Sequence, residues 1–161
     1  MCAIIGTMDR IDFEICRELQ NNARLSNKEL ASKIGLAPSS CHERFKRLCA
    51  DGVLTGFHAT VNRGKLGASI EAMVHVRLAK HARKEVDSFF EHLHQLPETI
   101  AYYHITGEFD YLVHVAVRDA NHLRDLALDA FTTREEVAQI QTSLVFAAKT
   151  KAQRPCFIEF S

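Results

Sequence analysis

Between Ser39 and Arg47 the run SSCHERFKR places hydroxyls first and cations after them. In helical register Ser39, Ser40, His42, Glu43, Lys46 and Arg47 fall away from an apolar stripe of Cys41, Phe45 and Leu48, with Arg44 at its border. Such a face suits the major groove of double-stranded DNA. Hydroxyls and the N–H groups of a helix start meet phosphates or base edges, and Arg or Lys pairs with guanine or the backbone. The same side chains could form a solvated face or dock a protein partner. A second constellation lies at Gly107, Glu108 and Asp110, preceded by His104 and Thr106. Its glycine permits an unusual backbone angle, and its carboxylates could hold the ammonium of a small molecule. Gly and Asp are equally the residues of an ordinary hairpin turn.

Other chemistry finds no candidate. The sequence has no Ser-His-Asp order, phosphate loop or G-x-G-x-x-G, so the chain reads as a non-enzyme without catalytic residues. His75 and His114 fall on alternating strands that a sheet would set side by side. Without a helical H-x₃₋₅-H pair they read as polar positions of a subunit interface, loosening on protonation at about pH 6. No metal and no cofactor are expected. The five cysteines are odd in number and form no C-x-x-C pair, which points to a reducing cytoplasm, with Cys41 and Cys49 as core residues. Lys+Arg and Asp+Glu balance at 20 each, so any affinity for nucleic acid must come from a local patch. No apolar run approaches the roughly 20 residues of a membrane span. Met1 to Thr7 lacks the basic start of a signal peptide and reads as a loose arm or an upstream start.

Two periodicities position these groups. From Asp9 to Gly52 the apolar spacing is helical, with three starts. Asp9 caps a helix bearing Ile11, Ile15, Cys16 and Leu19 inward. Ser26 and Glu29 form a capping box, with Leu25 and Leu30 as a hydrophobic staple, and this second helix ends at Gly35. Pro38 opens the third helix. Val53 to Val61 reads as a short hairpin or strand, and Asn62 to Lys65 as the polar boundary. Beyond it the period changes to two. Strands are expected around Ala72 to Leu78, Ile100 to Thr106, Tyr111 to Val117 and Gln139 to Phe146, with helices at Lys84 to Gln95 and from Asp119 through Phe131. The order β-α-β-β-α-β predicts a ferredoxin-like sheet with both helices on one face. A second subunit would cover the other face, giving a homodimer.

The chain thus reads as α+β: a winged helix-turn-helix over 8–61, a linker over 62–68, a ferredoxin-like domain over 69–151 and a tail over 152–161. At this point LSNKELASKIGLAPSSCHERFKRLCADGVLTGFHATVN resembles the helix-turn-helix of the leucine-responsive regulator and AsnC (feast/famine) family, and HITGEFDYLVHVAVRD resembles the loop and strand of its effector domain. The resemblance spans about Met8 to Lys151. It implies a dimer-based, often octameric, DNA-binding transcription regulator that responds to an amino acid or related small-molecule effector. It places Ser39, Ser40, His42, Glu43, Arg44, Lys46 and Arg47 on the recognition helix, and Gly107, Glu108 and Asp110 in the effector loop. The competing reading is a metabolite-binding module whose three-helix unit docks a protein. Ala37 departs from the family, where a serine N-cap is frequent; its absence forgoes about 1 kcal/mol.

Overall fold

The computed structural model describes residues 8–80 and 82–158. The expected arm at Met1 to Thr7 and the last three residues of the expected tail lie outside that range. The chain divides into two compact units: Val61–Ala148, and the chain on either side of it.

The first unit contains, among its described residues, α1 (Arg10–Asn21), α2 (Asn27–Ile34) and α3 (Pro38–Ala50). Each helix start follows from local chemistry. Asp9 accepts the Asp12 N–H at 2.9 Å while Asp12 accepts that of Asp9 at 3.2 Å, a reciprocal cap. Ser26 and Glu29 do the same for α2, and the Ser26 hydroxyl and N–H hold the Glu29 carboxyl below its ordinary value. Gly35 ends α2 in the left-handed region at φ 70°, a conformation that costs a side-chain-bearing residue about 1–2 kcal/mol. Ala37 gives α3 no side-chain cap. Ile15, Leu19, Leu30, Ala31, Cys41 and Leu48 meet in one core.

Two expectations change here. The segment after α3 forms no strand: the N–H groups of Val53 and Leu54 both turn back to the Leu48 carbonyl, at 2.9 and 3.1 Å, and Phe57 packs on Phe45 with ring centroids 5.9 Å apart. The helix end, Leu54 on the core and the Phe57–Phe45 contact hold this segment instead of a ladder partner, and its remaining residues are exposed. The tail also differs. Residues 149–158 belong with the helices, where the Gln153 amide donates to Asn21 at 3.1 Å and the Arg154 N–H to Gln20 at 2.7 Å.

The second unit is built on β1 (Ile70–Leu78), α4 (Arg83–Gln95), β2 (Thr99–His104), β3 (Tyr111–Val117), α5 (Ala120–Leu126) and β4 (Val137–Leu144). The strands pair antiparallel in the order β2-β3-β1-β4. That is the expected ferredoxin-like βαββαβ topology. Asp119 caps α5, which continues as a wider π-helical segment, Ala127–Thr132, that keeps Ala130 and Phe131 inward. Alternate residues Ala72, Val74, Val76 and Leu78 of β1 and Tyr111, Val113, Val115 and Val117 of β3 are buried against Phe89, Leu93 and Phe131. Residues 62–68, the expected linker, are locally ordered. They hold a 3₁₀ turn, Arg63–Leu66, and Arg63 pairs with Glu71 at 3.0 Å.

Candidate nucleic-acid interface and effector loop

Ser39, Ser40, His42, Glu43, Lys46 and Arg47 are all exposed on α3, while Cys41 and Leu48 are buried. The structure therefore brings six of the seven predicted residues onto one accessible face. Arg44 differs. Its side chain is only 27% exposed and turns to α1, where Nη1 donates to Asp9 at 2.6 Å and to Asp12 at 2.9 Å. Arg47 Nη2 meets the other oxygen of Asp12 at 2.6 Å but leaves its side chain 52% exposed.

Burial opposes ionisation of Asp9, yet the Asp12 N–H and the Arg44 guanidinium together hold its carboxyl below the ordinary value. Hydrogen bonds to Asp9 and then Asp12 raise Arg44 correspondingly. Asp12 had no place in the sequence-level site. The signal was present, because Asp12 shares a helix face with Ile15, Cys16 and Leu19, and a carboxylate buried within an apolar stripe calls for a cationic or hydrogen-bonding partner.

In the second unit Gly107 adopts φ 123°, in a region that disfavours side-chain-bearing residues. It lies in the β2–β3 connection, which the Ile105 N–H closes onto the Asp110 carbonyl at 2.8 Å. Thr106, Gly107 and Glu108 are exposed. The Asp110 carboxylate accepts the Leu78 N–H at 2.7 Å, tying the loop to the end of β1. His104 stacks on Tyr111 at 4.9 Å, and the ring of Phe109 lies 5.3 Å from that of His75. Burial raises the Tyr111 phenol above its usual value.

His75 and His114 share the sheet face opposite the helices but take separate partners, since His114 bonds Glu71 at 2.9 Å. A further groove of about 350 Å³, unforeseen from the sequence, is lined by His92, Leu96, Glu98, His122, Asp125 and Asp129 among others. No described helix is long and apolar enough to cross a membrane.

A helix-turn-helix with a polar, cation-bearing second helix, followed in the chain by a βαββαβ domain with a glycine loop, defines a DNA-binding regulator with a ligand-binding half. Comparison with known proteins specifies the class. The family model of the Lrp/AsnC ligand binding domain matches residues 71–154, and that of winged helix-turn-helix DNA-binding matches residues 8–55. HTH-type transcriptional regulator AldR of Mycolicibacterium smegmatis is 37% identical over 139 residues, covering 86% of this chain and 81% of that protein. The leucine-responsive regulatory protein of Escherichia coli is 32% identical over 147 residues, covering 91% and 90%. Among solved structures, a Neisseria meningitidis transcriptional regulator in complex with L-Met superposes with a TM-score of 0.86 at 28% identity, covering 92% of this chain and 97% of its own. This chain belongs to the Lrp/AsnC family of transcription regulators. It is a helix-turn-helix regulator whose second domain answers to small-molecule effectors.

Proposed function

We propose that the effector is an amino acid or a close relative of one, and that it binds beside the β2–β3 loop at His104, Thr106, Gly107, Glu108 and Asp110. The observation that carries this reading is the Gly107 turn at φ 123°, which leaves Thr106 and Glu108 exposed beside Asp110. A carboxylate pairs with the ammonium, and N–H groups of such a turn suit the α-carboxylate. The L-Met complex of the Neisseria meningitidis relative supports the same chemical class.

DNA contacts are assigned to Ser39, Ser40, His42, Glu43, Lys46 and Arg47, with Arg44 acting from behind through α1. The working unit is a homodimer, closing further into an octamer-like assembly, in which the open sheet face carrying Met73, Leu112 and Ala116 meets its copy. The free cysteines among the described residues suit the cytoplasm. This reading needs no catalytic residue and no cofactor.

A thermal-shift screen over the standard amino acids tests the effector. A ligand at about 100 times its Kd stabilises the native state by about 2.7 kcal/mol, and that stabilisation is lost in Gly107→Ala. A flat response to every amino acid overturns the assignment.

A further inference from the structure

Among the described residues, Asp12 is the one ionisable carboxylate or cation buried in the core. An apolar residue of similar volume often serves stability as well as a buried ion pair does, so its presence calls for a role beyond packing. Its oxygens are fully engaged. Oδ1 takes Arg44 at 2.9 Å, while Oδ2 takes Arg47 at 2.6 Å and the Asp9 N–H at 3.2 Å. Both cations come from α3, three residues apart. One is drawn inward and pinned by a second carboxylate, Asp9. The other, at the end of a half-exposed side chain, is gripped through Nη2.

We propose that Asp12 is a positioning residue for DNA binding. Through Arg44 it sets the rotation of α3 on α1, and through Arg47 it orients a guanidinium whose outer edge meets a phosphate or base. Ordering a long side chain at an interface weakens binding, and anchoring Arg47 during folding removes that cost. Arginine suits the position because its planar fork can bridge two acceptors at once, whereas a lysine is a point charge. The inference rests on α3 being the face that meets DNA.

The test uses the full chain and a fluorescent mixed-sequence duplex of about 30 base pairs, followed by anisotropy from about 50 to 200 mM salt. Each variant is measured where circular dichroism shows it folded. Asp12→Asn removes a negative charge near DNA, so charge alone predicts tighter binding. Positioning predicts the opposite: affinity falls about threefold to tenfold, while the salt slope stays because Arg47 still reaches phosphate. Arg47→Gln lowers the slope by about 0.9, and in that background Asp12→Asn costs less affinity than it does alone, since only the Arg44 route is left to lose. Arg47→Lys keeps the charge at a half-exposed position and loses affinity like Asp12→Asn, which provides a result even where Asp12→Asn is unstable.

Wild-type affinity in Arg47→Lys, affinity in Asp12→Asn equal to or above wild type, or additive losses in the double variant each overturn the proposal. If Arg47→Gln and Lys46→Gln both leave affinity and slope unchanged, α3 is not the DNA face, and the underlying reading has failed before the positioning role is reached.

Discussion

The carboxylate of Asp110 accepts the backbone N–H of Leu78 across 2.7 Å, so a residue proposed to bind effector also fastens the end of a central strand. The two duties separate by substitution. Asp110→Ala removes the acceptor and lowers stability by about 1.5–3 kcal/mol, the usual worth of a hydrogen bond to a charged group. Asp110→Asn keeps an acceptor oxygen, melts within a few degrees of wild type and still loses the thermal shift given by the amino-acid effector. A retained shift in Asp110→Asn would remove Asp110 from the effector site.

Ala37 stands in extended backbone at the N-cap of α3 without a capping oxygen, at φ −65° and ψ 141°. Ala37→Ser supplies one at a compatible geometry. Its expected effect is a gain of about 1 kcal/mol in the first unit, read as a higher urea midpoint at unchanged slope.

His92 donates through Nε2 to the Ala130 carbonyl at 2.8 Å in its neutral form, and burial first of all depresses its pKa, with the Ala130 carbonyl working the other way. The folded value thus lies below the unfolded value near 6.5. The unfolded chain takes up the proton first on acidification. His92 therefore costs no stability above about pH 7, and destabilises progressively as pH falls through the unfolded pKa toward the folded one. Scanning calorimetry between about pH 7.5 and 5.5 should show the second unit melting lower in acid, with a shallower dependence in His92→Gln. An unchanged dependence in that variant would assign the effect to another group.

Leu112 and Met73 lie on the sheet face opposite the helices, with Leu112 paired in register to His75. Leu112→Glu would place a carboxylate at the centre of the proposed dimer. Sedimentation velocity should show dissociation, with the monomer retaining its far-ultraviolet circular dichroism. An unaltered sedimentation coefficient would move the interface elsewhere.

The strands of the second unit were legible because period-two alternation and one buried face leave a single register with an apolar core; Tyr111–Val117 matches its expected range residue for residue. The Asp9 cap and the Ser26 capping box were equally readable, since their partners sit three residues away, although the reciprocal bond from Asp12 to the Asp9 N–H went unread. Long-range partners were not. A helical projection puts Arg44 at the edge of its stripe but says nothing of Asp9 and Asp12, which lie 35 and 32 residues earlier. The absence of strand after α3 was hidden for a related reason: Val53 to Val61 alternates loosely, yet Leu54 packs on the helix core and the half-exposed Phe57 lies against Phe45. In the loop, the types of Gly107 and Asp110 pointed to a turn, but the bond to Leu78 depends on where β1 ends.

The return of residues 149–158 to α1 means that the DNA-binding unit is discontinuous along the chain. Ribosomal synthesis delivers its helices first and residues 149–158 later, so the unit completes only after the whole of Val61–Ala148 has emerged. A fragment ending at Thr60 would leave Gln20 and Asn21 without their bonds to Arg154 and Gln153. A label attached at Arg154 would report on the helix-turn-helix half and not on the sensor half that immediately precedes it in sequence.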